Sequence, residues 1–364
     1  MVLKRRSFLK KAGLGLAATS AAAGAAAFPT PALSKGTYRW GMTTTWPKNF
    51  PGLGTAAERL AKQIEKASGG RMEIKVYGAG EIVPAFDALD AVSSGTVEMG
   101  HGAPYYWKVK IPAAQFLAGI PFGLSAQEQN AWLDFGGGQE LADKIYSAAG
   151  CKFFAAGNTG VQMGGWYNRE IKTAQDFSGL KIRMPGLGGA VLKELGATVV
   201  NLPGGELLPA MQSGTIDAME WVGPYNDVAF GIHKVAKHYY SPGWHEPATI
   251  LDCFINMKAW SALPDDLKAI VEIAAKSANQ HALNEFTAQN AKFLQVLKDK
   301  HGVIPKNFSA ELLKNVQKTA DKVVSATAAE DALSQELFKS IKDFQAKTAP
   351  WSAISESAYL QARG

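Results

Sequence analysis

Cysteine is nearly absent from this chain: Cys151 and Cys253 are the only two in 364 residues. That excludes a disulfide framework and any haem or iron–sulfur ligand run. Both sit in apolar, strand-like segments, Cys151-Lys152-Phe153-Phe154 and Leu251-Asp252-Cys253-Phe254-Ile255. Two buried free thiols are therefore expected, although an oxidising compartment would let them pair. Histidine is also sparse, six in all, and His101, His233, His238 and His245 lack the close spacing that zinc demands. There is no Gly-x-Ser-x-Gly elbow and no paired-carboxylate motif. Gly186-Leu187-Gly188-Gly189 precedes a helical pattern but fails the dinucleotide-loop spacing. Beyond the N-terminus no apolar run reaches membrane-spanning length. The basic excess is also local. The net charge is +6, but five lysines and arginines and no acid fall within residues 1–34, which leaves +1 for the remainder. Nothing basic is left to argue for nucleic acid or an anionic membrane surface.

What is present begins with Arg5-Arg6-Ser7-Phe8-Leu9-Lys10, a twin-arginine signature. An Ala/Gly/Leu run from Ala12 to Phe28 follows, and Ala32-Leu33-Ser34 offers a small-x-small cleavage site. Residues 1–34 are read as a signal peptide for twin-arginine export to the periplasm. The remaining chain, about 330 residues, suffices for two lobes with proper cores.

Those lobes announce themselves as a faint internal repeat. Gly80–Ala85 (GEIVPA), Ser94–Met99 (SGTVEM) and Gly102-Ala103-Pro104-Tyr105 return as Gly205–Ala210 (GELLPA), Ser213–Met219 (SGTIDAM) and Val222-Gly223-Pro224-Tyr225. Each copy reads as turn, helix, glycine stop, short strand and a Gly/Pro/aromatic loop, with six extra residues in the first helix. Such strand ends face clefts in α/β proteins. The predicted organisation is α/β, with residues 35–158 mainly in lobe 1 and 159–257 mainly in lobe 2. Residues 258–364 form a long helix and a helical region packing across the lobes or onto a second subunit. The glycine-rich stretch Asn158–Tyr167 marks backbone close to a ligand or a crossing between lobes. Gln127–Ala149 and Ala310–Lys347 read as helical. From Leu263 to Asp299 a helical pattern runs without a breaker, about 55 Å at 1.5 Å per residue. A helix of that length must bridge the lobes, kink, or leave its own subunit.

Few residues could carry chemistry. Arg183 closes a strand between apolar Ile182 and Met184, where its planar fork suits a carboxylate. Glu220 ends the second repeat strand, and Gln162 and Glu246 add oxygens from separate loops. One carboxylate with amide and backbone oxygens is hard-cation chemistry, Na⁺ or Ca²⁺. Trp46, Tyr105, Tyr106, Trp107, Trp166, Trp221 and Trp244 fall in loops or at strand ends, which suggests an enclosed pocket.

These residues resemble a known family. Lys181–Gly186 (KIRMPG), Gly196–Val200 (GATVV) and Ser213–Trp221 (SGTIDAMEW) are similar to the extracytoplasmic solute receptors of tripartite ATP-independent periplasmic (TRAP) transporters, over essentially all of the chain after residue 34. Gly157–Trp166 and Glu220–Tyr225 resemble the subgroup that binds 2-oxo monocarboxylates such as pyruvate, or 2-hydroxy acids such as lactate, together with a metal cation. The resemblance implies a two-lobe periplasmic binding protein fold with a long bridging or swapped C-terminal helix. It implies Arg183 as the carboxylate clamp, and Gln162, Glu220 and the Trp221 carbonyl as cation ligands. Tyr105 and Asn158 would lie near the ligand, and Glu246 would match a loop acid that serves both cation and ligand. Position 245, often tryptophan in the subgroup, is histidine here. Membrane subunits of a TRAP transporter and a second copy of the chain are the implied partners, the homodimer arising by exchange of the helix that begins near Leu263. An exported enzyme acting on a small carboxylic acid is the alternative, since the twin-arginine route carries prefolded cofactor proteins. No cofactor motif supports it.

Overall fold

The computed structural model of the chain describes residues 36–364, so the expected signal peptide lies outside the described residues. Eleven strands are described: β1 (Tyr38–Thr44), β2 (Met72–Tyr77), β3 (Met99–Gly102), β4 (Cys151–Asn158), β5 (Gly165–Tyr167), β6 (Lys181–Arg183), β7 (Thr198–Val200), β8 (Ala218–Met219), β9 (His238–Ser241), β10 (Ile250–Asn256) and β11 (Lys306–Asn307). They build two sheets, β2-β1-β3-β10-β4 and β11-β9-β5-β8-β6-β7, the two-lobe α/β fold that the residues suggested.

The sheets are copies of one plan. In the first, β1 lies parallel to β2 and β3, and β10 runs antiparallel to β3 and β4. In the second, β6 lies parallel to β7 and β8, and β5 runs antiparallel to β8 and β9. The repeat is thus real, but its register differs from the expected one. The helical segments that lead into β3 and β8, Ala85–Ser93 and Gly204–Gln212, have equal length and are each preceded by a proline, Pro84 and Pro203. The GELLPA match sits inside the second helix, with Pro209 in its interior, whereas GEIVPA leads into the first and ends on its opening residue, Ala85. The six extra residues do not exist; that match was chance, and the glycine stop, the strand and the proline opening the next helical turn carry the symmetry.

Parallel strands aim their carboxyl ends the same way, so β1, β3, β6 and β8 deliver the segments after Thr44, Gly102, Arg183 and Met219 to one cleft. Between the sheets the chain crosses at 159–164 and returns at 242–249. The return carries β10 back into the first sheet, so the segment expected mainly in lobe 2 gives up its last strand. The two crossings lie backbone to backbone: Gly243 N–H donates to the Gln162 carbonyl (2.8 Å), Gln162 N–H to Glu246 (3.2 Å) and Thr159 N–H to Thr249 (3.1 Å). A Cβ on Gly243 would stand 2.4 Å from the Gln162 carbonyl oxygen, which leaves glycine as the fitting residue.

The helical region is cut by local chemistry. Gly136-Gly137, the latter at φ +78°, splits the helix expected over Gln127–Ala149 into Ala126–Phe135 and Gly138–Ser147. Cys151 and Cys253 are both buried and unbridged. The long helix spans Asp265–His301. Of the outcomes open to it, bridging, kinking or leaving its subunit, the structure shows the bridge, and its apolar positions need no symmetry mate to cover them. Leu267, Val271, Phe286 and Leu297 are buried inside their own chain, and Ala274, Ala275 and Ala278 allow close approach to the first-sheet core. Ile273 stays exposed at 68%. The helix bridges the back of both sheets. Its Glu285 pairs with Arg59 beside the first sheet (2.7 Å) and accepts from the Tyr225 hydroxyl beside the second (3.1 Å). The unpartnered apolar surface lies further on. After Ala332–Ser352, which packs against the two helices at 126–147, no residue through the C-terminus is buried, and Trp351 and Ile354 are 66% and 73% exposed.

Candidate functional site

Arg183 and Glu220 meet because adjacent parallel strands end side by side: Arg183 is in register with Met219, and Glu220 N–H donates to the Arg183 carbonyl. Both side chains are 1% exposed. One Arg183 Nη donates to the Glu220 carbonyl (2.9 Å) and pairs with its carboxylate, and the other donates to the Tyr106 hydroxyl (3.2 Å). Nε reaches the Leu202 carbonyl (3.3 Å), and the guanidinium lies 4.8 Å over the Trp221 ring. Burial opposes its charge, but the carboxylate of Glu220 holds the pKa above the ordinary arginine value. Such a group is a fixed, desolvated cation with a planar face.

The crossings supply the opposite half. Gln162 Nε2 donates to the Glu246 carboxylate (2.7 Å), to Thr249 Oγ1 (3.1 Å) and to Thr159 Oγ1 (3.2 Å). Thr249 donates to the same Glu246 oxygen. Burial first, and the charge of Glu220 second, push the Glu246 pKa up to about 7. His245 Nε2 lies 3.2 Å from the second Glu220 oxygen. Potential ligand atoms of Glu220, His245 and Glu246 all fall within 4.8 Å of one another, and Gln162 Oε1 is buried without a partner. Two carboxylates desolvated at this spacing repel, and the Gln162 amide oxygen is an acceptor with no donor. A hard cation taking oxygens from Glu220, Glu246 and Gln162 fits this donor set and reverses the repulsion. It would also draw Glu220 away from Arg183 and free the guanidinium fork.

A narrow cavity adjoins this cluster. Its polar lining is Thr159, Gln162 and the two tyrosines Tyr105 and Tyr106; Trp46, Trp221, Leu53, Val222 and Leu251 complete it. Burial, then the charge of Glu246, raise the Tyr105 pKa well above its usual value, so its hydroxyl stays a neutral donor. A roomier groove, lined by Asn130, Asp134, Lys152 and Lys276, has none of this convergent chemistry, and its Lys276 already pairs with Asp134 (2.7 Å).

Arg183, Gln162, Glu220, Glu246, Tyr105 and Trp221, all singled out in the sequence, thus converge on one place. Asn158 stands behind the wall: its amide nitrogen donates to Gln129 (2.9 Å), and its oxygen accepts from Gly160 N–H (2.9 Å). The aromatics divide. Trp46, Tyr105, Tyr106 and Trp221 face the cavity, while Trp107 and Trp166 are core residues whose indole N–H groups donate to Asp252 and Asp227. Thr159 and Thr249 were missed, because a threonine in a loop carries no signal until its partner is known. The link from Trp46 Nε1 to His101 Nδ1 (2.9 Å) was missed too, although His101 occupies the repeat position of Trp221.

The family model described as "Bacterial extracellular solute-binding protein, family 7" matches residues 42–331. A monocarboxylate 2-oxoacid-binding periplasmic protein from Nostoc sp. is 41% identical over 360 residues, 98% of each chain. A TRAP periplasmic solute-binding protein from Pseudoalteromonas atlantica, solved with bound sodium and pyruvate, is 40% identical. It superposes with a TM-score of 0.87 over 89% of this chain and 99% of its own. A TRAP solute-binding protein from Bordetella bronchiseptica, a dimer with copurified calcium and picolinate, is 36% identical, with a TM-score of 0.88 over 90% of this chain and 97% of its own.

Proposed function

This chain belongs to family 7 of the bacterial extracellular solute-binding proteins, and from that premise we propose how its cleft holds a ligand. The protein is a periplasmic solute receptor of a TRAP transporter. Its ligand is a small 2-oxo or 2-hydroxy monocarboxylate bound together with Na⁺ or Ca²⁺. Arg183 grips the carboxylate through two parallel N–H donors, steadied by Tyr106, while the Trp221 ring keeps water from the guanidinium. The cation takes oxygens from Gln162, Glu220, Glu246 and the Trp221 backbone, and the 2-oxo or 2-hydroxy oxygen completes its shell. Tyr105 donates to the ligand from the first sheet, and Asn158 positions the crossing through Gly160. A monocarboxylate suits the site because Arg183 is its only buried guanidinium or ammonium group among the described residues. The observation that carries this reading is the buried cluster of Arg183, Glu220 and Glu246 with an unpartnered Gln162 oxygen.

We place the end of the first lobe at about residue 158, before the first crossing, and that of the second at the return crossing, 242–249, since β10 rejoins the first sheet; the helical region from 258 joins the lobes. Export by the twin-arginine route rests on Arg5-Arg6. A homodimer is supported by the apolar tail, Trp351, Ile354, Tyr359 and Leu360, rather than by the long helix, and by the dimer formed by the Bordetella bronchiseptica relative. Native mass spectrometry of protein purified without added ligand tests the binding reading. An adduct equal to a small monocarboxylate plus one cation is expected; an adduct with a dicarboxylate or a sugar would refute it.

A further inference from the structure

We infer that Leu53 is the gauge that limits how long an acid the cleft accepts; the inference rests on the binding reading above. A ligand whose carboxylate faces Arg183 and whose oxo group faces the cation has only its carbon tail left for the apolar lining. Leu53 is 1% exposed and contributes to that lining together with Val222, Leu251 and the Trp46 indole. The cavity is narrow, with room for about one water molecule between these side chains. A three-carbon 2-oxo acid already has six non-hydrogen atoms, so every further carbon of a longer tail must press directly on this lining.

What makes Leu53 a gauge rather than one soft wall among several is its mounting. It ends a strap, residues 46–53, that leaves β1 in the first sheet and is fastened on four sides. Trp46 Nε1 is held by His101 (2.9 Å), and the Trp46 ring meets Trp221 edge-on at 6.1 Å. Phe50 stacks on Phe230 at 4.2 Å, and Asn226 Nδ2 donates to the Pro51 carbonyl (2.8 Å). Gly52, at φ +74°, lies so close to the long helix that a Cβ would stand 2.9 Å from the Phe286 ring. The backbone before Leu53 therefore cannot retreat to make room for a longer tail. The helix Gly54–Ala67 starts directly after it and fixes the other side. Wall residues that cannot shift discriminate by length, because an added methylene must overlap them.

The experiment compares Leu53→Ala, Leu53→Val and Leu53→Phe with the unaltered receptor, by calorimetry with pyruvate, 2-oxobutanoate and 2-oxopentanoate in calcium buffer. The readout is the affinity ratio of the five-carbon to the three-carbon acid, which each variant reports from its folded fraction and which a loss of stability leaves unchanged. Leu53→Ala should raise that ratio by about 15-fold, fourfold for each methylene that finds apolar contact. Leu53→Val should raise it less, and Leu53→Phe should lower it. Pyruvate binding by the unaltered receptor with no change of ratio in any variant would overturn the gauge and leave the binding reading standing. Failure of the unaltered receptor to bind any of the three acids would remove the binding reading and the gauge with it.

Discussion

Replacing Arg183 with lysine separates the shape of the clamp from its charge. Alanine would be a poorer choice, since it leaves the buried Glu220 carboxylate without its arginine partner, which costs about 3–5 kcal/mol and confuses folding with binding. Lysine keeps one positive charge but loses the planar fork, the stacking over Trp221 and the simultaneous reach to Leu202, Glu220 and Tyr106. A ligand carboxylate that used two parallel N–H donors would be left with one. Losing one hydrogen bond to a charged group costs about 1.5–3 kcal/mol, a drop in affinity of about 10–150-fold. Isothermal calorimetry with pyruvate in calcium buffer measures the drop, and a thermal melt reports whether Arg183→Lys remains folded. An affinity within about twofold of the unaltered protein, in a variant with an unchanged melt, would refute the clamp.

Three further outcomes are expected. Burial raises the Asp252 pKa from 3.8 to about 6 against the hydrogen bonds of Tyr146 and Trp107. The folded carboxyl therefore keeps a proton that the unfolded one has lost. Its contribution to stability is complete below about pH 4 and disappears as pH rises through about 6, about 3 kcal/mol in all. Urea unfolding at pH 4 and pH 7 should show the unaltered protein losing that much relative to Asp252→Asn; equal pH profiles would contradict it. Removing residues 353–364 and replacing Trp351 with aspartate should turn a dimer into a monomer in light scattering across a dilution series, with ligand affinity retained; a monomeric unaltered protein would contradict the dimer. Changing Arg5 and Arg6 to lysine should hold the precursor in the cytoplasm, as fractionation and immunoblotting would show, whereas undiminished export would contradict the twin-arginine assignment.

Strand ends were legible in the sequence because a short apolar run stopped by glycine or proline has one local meaning. Arg183 after Ile182 and Glu220 after Met219 could be placed in one cleft for that reason. The glycine-rich stretch before Trp166 was legible as a crossing between the lobes, and the chain does pass between the sheets there. Long-range pairing was not legible. That Gln162 would donate to Glu246, 84 positions away, depends on two crossings lying side by side, which no local pattern encodes. The long helix shows the same limit from the other direction. Its apolar positions demanded cover, but whether that cover came from both lobes of one chain or from a partner depended on where β4 and the helix at Pro224–Phe230 would stand. The match between GEIVPA and GELLPA misled because six similar letters outweighed a common proline at the start of two helical segments of equal length.

Titration of ligand-stripped receptor with pyruvate, in the presence and absence of the cation, bears most directly on the cleft chemistry. With Ca²⁺ or Na⁺ in the buffer, one equivalent of pyruvate should bind. After chelation in sodium-free buffer, binding should fall by an order of magnitude or more, because Glu220 then stays on Arg183 and repels the incoming carboxylate. Equal affinity with and without both ions, or no heat with pyruvate and any longer 2-oxo acid, would contradict the account.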